Sequence, residues 1–496
     1  MLRLLDKLLN QLTMYAVVYY GLLILVVVAA VLGFAGQLSF GGWSILLSAA
    51  VLLTTTRVTN FGLAKLLKAD TNFESPAVTA LILCFIMAPP TRPIEVVPLV
   101  LAGVVAMASK YLVAVRYRHI FNPAAFAVVA LGILGNSHAI WWVATPVLLP
   151  AVAVLALLVV RKLQRGWLFL AALATGVASI TLAAAAQGYF TTGIFVQAFT
   201  SWPLVFFASI MLTEPTTMPP TRGWRYGYAV LVAALFGSQL HVGPAATTPE
   251  LCLLIGNALS FLVGHVRRVG LTLVEQRAIA ADTFEFVFKP DRPLHFQPGQ
   301  YLEWTLMHPH PDLRGSRRYF TIAASPTESD IRLGLKLGPG RISSFKTALQ
   351  SLQPGARLSA TGPVGDFTLP VDPGIKLLWI AGGIGITPFR SQVQYLLDSG
   401  QRRDVVLLYL AAKPEALAYR QLFEQASSAG LLAYFITPPP GSPPFGIEDL
   451  ARMVPDFHER TVYLSGPSGL VHGQSAALAK AGVPRQRLHT DDFPGY

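Results

Sequence analysis

The stretch SRRYFTIAASP, residues 316–326, decides how the second half of this 496-residue chain folds. Arg318 and Phe320 stand two positions apart in a strand-like run, so they point to one side of it. A cation beside a flat ring offers one partner for a pyrophosphate and one for an aromatic ring system. Thr321 adds a hydroxyl and a backbone N–H next to that ring, which makes Arg318, Tyr319, Phe320 and Thr321 candidate cofactor-binding residues. Downstream, GPGRISSF (338–345) places Gly338, Gly340 and Ser343 ahead of a predicted helix, where free N–H groups and the helix dipole favour phosphate.

The flanking segments share that alternation. Residues 272–290, 299–307, 331–337 and 356–365 alternate apolar side chains with turn signals, as a small antiparallel barrel requires. From residue 376 the pattern changes. KLLWIAGGIGITPFRSQVQYL (376–396) reads as a buried strand, a glycine-rich turn and a helix, followed by strands in 404–410, 431–437 and 461–469. Strands alternating with helices predict a parallel sheet with its ligand at the strand ends. Gly382, Gly383 and Gly385 let a cofactor approach the backbone, and Thr387 and Pro388 open the helix.

This region resembles the ferredoxin-NADP reductase family over residues 268–496. The resemblance is carried by Arg-x-Phe-Thr at Arg318 to Thr321, Gly-x-x-Ser at Gly340 to Ser343, GPVGDF at 362–367, GGIGITP at 382–388 and SGPSG at 465–469. It implies FAD on the barrel, with Phe320 stacked on the isoalloxazine and Thr321 near its N5, and NADH or NADPH across the second domain. It also implies hydride passage from nicotinamide C4 to flavin N5, with Thr321 and Ser465 as the catalytic candidates and Gly466 and Pro467 beside the nicotinamide. Ser465 replaces the cysteine usual in that family, and a C-terminal aromatic, Phe493 or Tyr496, is the candidate cover for the flavin.

The first half of the chain has another character. The whole sequence is 53% hydrophobic and 13% charged, and most of that imbalance lies before residue 266. Apolar runs fall at 14–34, 37–56, 76–90, 94–115, 122–137, 139–160, 167–186, 190–213, 226–241 and 249–265, which predicts ten membrane spans. Arg3, Lys7, Arg57, Lys65, Lys68, Arg116, Arg118, Arg161, Lys162, Arg165, Arg222, Arg225, Arg267 and Arg268 all fall on one side of ten alternating crossings. By the positive-inside rule that side is cytoplasmic, with Arg92 the exception, and both termini lie there. The expected localisation is therefore an inner or plasma membrane crossed many times. The opening MLRLLDKLLNQL puts Leu4, Leu5, Leu8 and Leu12 on one face, as in a helix lying along the membrane surface. The net charge of +12 belongs to these short loops, so no nucleic acid partner is expected. Two cysteines, Cys84 and Cys252, exclude a four-cysteine iron–sulfur cluster within this sequence, and no metal site is expected.

The first half also repeats itself. FIMAPPTRP (85–93) returns in SIMLTEPTTMPPTRG (209–223), and FNPAAFAVV (121–129) has an echo in PELCLLIGNALS (249–260). Five spans per repeat invert the two halves in the membrane. With ESPAVTALILCFIMAPP (74–90) and SKYLVAVRYRHIFNPAAF (109–126), these segments resemble the flavin-carrying membrane subunits of Rnf complexes and of the sodium-pumping NADH:quinone reductase. That resemblance implies a ten-span inverted-repeat fold that binds FMN or riboflavin and conducts electrons, with partner subunits. Its covalent-flavin pattern is not kept. AIWWVATPVL (139–148) lacks the Asp and the Ser-Gly, so Thr145 reads as a helix-start residue rather than an attachment point.

The expected protein is multi-domain. It has a polytopic helical membrane domain (1–266), an antiparallel β-barrel for FAD (267–370) and an α/β parallel-sheet domain for NAD(P) (371–496). Its expected function is a membrane-bound NAD(P)H oxidoreductase delivering electrons to a quinone or to an acceptor beyond the membrane. Two other readings stay open. One is a haem-containing transmembrane reductase, although His119, His138, His241 and His265 sit at span ends and do not form stacked pairs. The other is a transporter whose C-terminal half senses redox state.

Overall fold

The computed structural model describes residues 9, 11–67, 74–115, 118–135, 139–242, 245–264, 267–309, 311–312, 315–337, 343–439, 441, 443 and 445–493. Two units divide the chain at Met1–His265 and Val266–Tyr496. The expected surface helix at Leu4, Leu5 and Leu8 lies outside the described residues.

The N-terminal unit is helical. In chain order it contains α1 (Met14–Phe34), α2 (Gly42–Leu66), α3 (Glu74–Ile86), α4 (Val96–Leu112), α5 (Pro123–Ile133), α6 (Leu149–Lys162) and α7 (Gly166–Ala186). Then come α8 (Ile194–Thr200), α9 (Leu204–Met211), α10 (Arg222–Ser238) and α11 (Pro249–Val263). Thr13 caps α1 by accepting from Ala16 N–H, and Asn122 caps α5 by accepting from Ala125 N–H. Trp141, Trp142 and Phe206 are buried in one apolar core with residues of α1, α3 and α10.

The ten expected spans are not all helices of spanning length. Among the described residues four helical segments are long and apolar enough to cross a membrane: Met14–Phe34, Gly42–Leu66, Pro93–Leu112 and Gly166–Ala186. A fifth appears if α8 and α9, bent by 58°, count as one span. The bend falls at Ser201-Trp202-Pro203, where proline interrupts the backbone ladder, and residues 207–211 continue as a π-helix. Elsewhere the helices are short: Pro123 and Pro249 open α5 and α11 at the heads of their runs, and these helices hold 11 and 15 residues, or about 16 and 22 Å against a hydrocarbon core of about 30 Å. Residues 139–148 are apolar yet not helical, because the Trp142 indole donates to the carbonyls of Cys84 (2.7 Å) and Met87 (3.0 Å), which ties them to the end of α3. Hydropathy counted residues that tertiary packing takes out of helices.

The two echoed segments meet. Asn122 N–H donates to Asn257 Oδ1 (2.8 Å), joining the start of α5 to the middle of α11, and Asn257 Nδ2 donates to the Tyr228 hydroxyl (3.1 Å). All three residues are buried.

The C-terminal unit holds two sheets. The strands of the first are β1 (Arg267–Ala280), β2 (Thr283–Pro290), β3 (Tyr301–Thr305), β4 (Arg317–Thr321), β5 (Ile331–Lys336) and β6 (Arg357–Val364), in the order β4-β3-β6-β1-β2-β5, with every pair antiparallel. Just past β4, Ala323 N–H donates to Arg332 O on β5 at 2.9 Å, so the two edges curl toward each other. Their inward residues, among them Phe286, Phe288, Leu302, Trp304 and Leu333, form one core. A short helix, α12 (Ser344–Gln350), closes that core with Phe345 and Leu349.

The second sheet contains β7 (Leu377–Gly382), β8 (Val405–Leu410), β9 (Leu432–Ile436), β10 (Thr461–Pro467) and β11 (Leu488–Phe493), in the order β9-β8-β7-β10-β11, all parallel. Helices α13 (Thr387–Ser399), α14 (Arg420–Ser428), α15 (Ile447–Met453) and α16 (Ser468–Lys480) belong to the same half. β7 is buried along its whole length, as a central parallel strand must be. The strand order reverses between β7 and β10, and the crevice beyond their carboxyl ends is where this topology places ligands.

Candidate flavin and nicotinamide site

On β4, the run quoted first, the side chains alternate as expected. Arg318 is 3% exposed while Tyr319 is 39% exposed and set edge-on to Tyr301 at 5.7 Å. Phe320 shares the Arg318 face, its ring 5.8 Å from that of Phe345, and the Arg318 guanidinium lies 5.4 Å from the same ring. Thr321, buried, ends the strand opposite Tyr301. Cation and ring thus share one face at an edge of the barrel, while the pleat puts Tyr319 and Thr321 on the other. Ser343 is buried and caps α12 by accepting from Lys346 N–H at 3.3 Å. Gly338 and Gly340 lie outside the described residues.

The second cluster surrounds the reversal of strand order. Gly382 ends β7, a turn of 3₁₀-helix covers Gly383–Ile386, and α13 begins at Thr387 with Pro388 in its first turn. Gly385 has no room for a side chain: a Cβ there would stand 2.3 Å from Ser465 O and 2.6 Å from Gly466 Cα. Gly466 takes φ +151°, and a Cβ there would stand 3.0–3.1 Å from Gly382 backbone atoms, so the turn and the end of β10 pack closely. Among the described residues the buried Ser465 and Ser468 hydroxyls have no hydrogen-bond partner, which leaves them able to bond a ligand.

The last strand adds what sequence reasoning missed. In the β10–β11 register Ser465 faces Asp491, Gly466 faces Asp492 and Pro467 faces Phe493. Burial, helped by the neighbouring negative charge of Asp492, pushes the Asp491 carboxyl up from 3.8 to about 7. The signal in the sequence was the pair of acids in DDF near its end, but only strand pairing brings them to Ser465. The backbone of Phe493 lies on β11, whereas its side chain and Tyr496 fall outside what is described.

Because its value is raised in the folded protein, Asp491 contributes stability below the ordinary carboxyl value and loses it as pH climbs through about 7. Comparing thermal midpoints of wild type and Asp491→Asn between pH 4 and 8 should show the wild type losing ground to the variant as pH rises. A constant difference would show that the carboxyl does not titrate there.

Comparison with known proteins addresses the same two clusters. Residues 270–369 match the oxidoreductase FAD-binding domain and residues 379–437 match the oxidoreductase NAD-binding domain. The C-terminal unit is an NAD(P)H-dependent flavin oxidoreductase module. Its cofactors are FAD and a nicotinamide nucleotide. The stachydrine N-demethylase reductase subunit of Rhizobium meliloti is 29% identical to the chain over 230 residues, covering 43% of it and 64% of the relative. The glycine betaine monooxygenase reductase subunit of Chromohalobacter salexigens is 27% identical, covering 43% and 60%. The chain thus spans less than two thirds of the length of these relatives. Among solved structures, a cytochrome P450 reductase of Amycolatopsis has 25% identity over 46% of this chain and 70% of that one, with a TM-score of 0.41.

A partly buried ion network joins the module's two halves. Arg390 on α13 donates to Ala323 O (3.0 Å) and grips both carboxylate oxygens of Glu328, Nη2 to Oε1 at 3.0 Å; Glu328 also receives Arg332 Nε (2.8 Å) and Ser325 N–H (2.6 Å). Burial alone would raise the Glu328 carboxyl, but the two arginines and the Ser325 N–H hold it below its ordinary value. Ser391 Oγ donates to Ala324 O, and Gln392 Nε2 donates to Phe367 O (2.9 Å). The barrel segment that follows β4 is therefore bonded to the helix that starts at the glycine turn.

In the N-terminal unit, Thr145 accepts from Leu148 N–H (3.3 Å) ahead of α6, a helix-start arrangement. An open cleft of ≈ 590 Å³, solvent at its mouth included, lies among the ends of α1, α3, α4, α5, α6 and α9. Its polar groups include Lys110, whose Nζ donates to Ser75 Oγ (2.8 Å), and Glu214, which accepts from Asn122 Nδ2 (2.7 Å) and Thr216 Oγ1 (2.9 Å).

Proposed function

We propose that this chain is a membrane-bound oxidoreductase that takes hydride from NADH or NADPH and passes the electrons through its helical unit to a quinone or to an acceptor beyond the membrane. The carrying observation is that one polypeptide joins an FAD- and NAD-binding oxidoreductase module to a unit with four helices long and apolar enough to span a bilayer. Exposed Ile24 and Val31 on α1, Leu157 on α6 and Leu182 on α7 suit a lipid-facing surface. The one-sided Arg and Lys distribution favours an inner or plasma membrane with both termini cytoplasmic. The relatives are reductase subunits of oxygenase and demethylase systems, which supports an electron acceptor as partner.

In this reading Arg318 meets the flavin pyrophosphate, Phe320 supports the ring and Thr321 stands beside it. Ser465, Gly466 and Pro467 border the nicotinamide. When bound, FAD accepts a hydride and returns the electrons singly. The chain's contribution is placement: the Arg390 bridge fixes the barrel against α13, and Gly385 fixes the turn against β10, so that two rings lie in reacting distance. In the N-terminal unit the next acceptor, a group carrying carbonyl oxygens such as a quinone or an FMN or riboflavin ring, is met at the open mouth of the cleft lined by Lys110 and Glu214. Lys110 supplies a cation to a carbonyl oxygen there.

The purified chain mixed anaerobically with NADH or NADPH is expected to lose its flavin absorbance and to regain it on addition of a short-chain quinone. Lys110→Met should slow the second phase by roughly tenfold. An unbleached spectrum would remove the enzyme reading. Bleaching with an unaltered return in the variant would remove the cleft from the route.

A further inference from the structure

Between β3 and β4 stands an acid that no motif singled out. The Asp312 carboxylate accepts from Arg318 Nη2 at 3.0 Å through Oδ1, and from the backbone N–H of Ser344 at 3.2 Å through Oδ2. Its own N–H donates to Ser344 Oγ at 2.8 Å, and that oxygen also lies 3.0 Å from His308 Nε2. One proton assignment satisfies all of these groups: His308 carries its proton on Nδ1, facing Leu306 O at 2.9 Å, and Nε2 accepts from the Ser344 hydroxyl. The connecting loop is thereby fastened to the start of α12.

The two members of this ion pair differ in exposure. Arg318 lies on a strand, its side chain 2% exposed, with Nη1 donating to Gly315 O (3.0 Å) and Arg317 O (2.7 Å). Asp312 lies on a loop with its side chain 27% exposed. A buried guanidinium must keep an anionic partner, since losing it leaves an uncompensated charge. A phosphate satisfies the same guanidinium and the same N–H, and does so with more oxygens. Two anions on one guanidinium at this distance repel each other.

We propose that Asp312 is an internal competitor for the FAD pyrophosphate: its carboxylate holds Arg318 and the Ser344 N–H, and FAD binds by displacing it. The residue sets how tightly the cofactor is held and keeps the buried cation neutralised when it leaves. This inference rests on the placement of FAD along β4 proposed above.

The test compares wild type with Asp312→Asn, which keeps shape and removes charge, as full-length proteins freed of flavin. Binding is followed by the quenching of flavin fluorescence and by thermal midpoints with and without FAD. The variant is expected to bind FAD and ADP roughly tenfold more tightly, to bind riboflavin, which has no phosphate, as wild type does, and to melt lower than wild type only without cofactor. Should flavin-free variant not be recoverable, the rate of FAD release from the purified holoprotein makes the same comparison, with slower release expected. Equal or weaker FAD binding, equal or faster release, or a matching gain for riboflavin overturns the competition. Failure of both proteins to bind FAD overturns the placement on β4 and this inference with it.

Discussion

Arg390→Met is expected to destabilise the oxidoreductase module by about 3 kcal/mol, the usual cost of removing one partner from a buried ion pair. The Arg390 side chain is 7% exposed and that of Glu328 18%, so water replaces little of what is lost. The substitution strands the Glu328 carboxylate with Arg332 and the Ser325 N–H, and also deletes the bond to Ala323 O. A change of that size lowers the thermal midpoint by roughly 6–12 °C for a unit of this length. Adding Glu328→Gln should cost less than the sum of the two single changes, because each removes the same interaction. Acid acts on the same bond: the Glu328 carboxyl is held below its ordinary 4.5 in the folded state. Its contribution is therefore complete above that value and is lost as pH falls through the lower folded one. A variant melting within a degree or two of wild type at neutral pH would show that the two halves are held by their apolar contacts instead.

Gly385→Ala is expected to separate cofactor binding from reaction. A Cβ at 2.3 Å from Ser465 O meets the main chain of Ser465 and Gly466, and no side chain can rotate away to make room. The turn must withdraw from β10 by about an ångström or strain to stay, at about 1–3 kcal/mol. FAD retention should survive, since Arg318, Phe320 and Thr321 lie on the other sheet. Flavin reduction by NAD(P)H, measured by stopped flow, should slow by about a hundredfold, because misplacing reacting groups by an ångström costs on that order. A wild-type reduction rate in a folded variant would show that the turn does not position the nicotinamide.

Much of the module was legible beforehand because its signals are local. Alternation marked the barrel strands, GGIGITP marked the turn between β7 and α13, and a two-residue spacing put Arg318 and Phe320 on one face. The same pleat puts Tyr319 and Thr321 together on the opposite face. The acids were not legible as partners. Asp312 and Asp491 belong to no motif, and their meaning comes from residues far along the chain: Ser344 and Arg318 for the first, Ser465 for the second.

By itself the sequence determined the division into an apolar half and a flavin–nicotinamide half, together with the kinds of residue each needs. Composition and periodicity are properties of contiguous stretches and survive without a fold. Tertiary structure alone decided how much of the apolar half becomes helix of spanning length, since the Trp142 indole ties residues 139–148, which hydropathy reads as part of a continuous run, to the end of α3 without helix. It also decided which charges face each other, because electrostatic pairing depends on distance through space, and burial strengthens it where water is excluded.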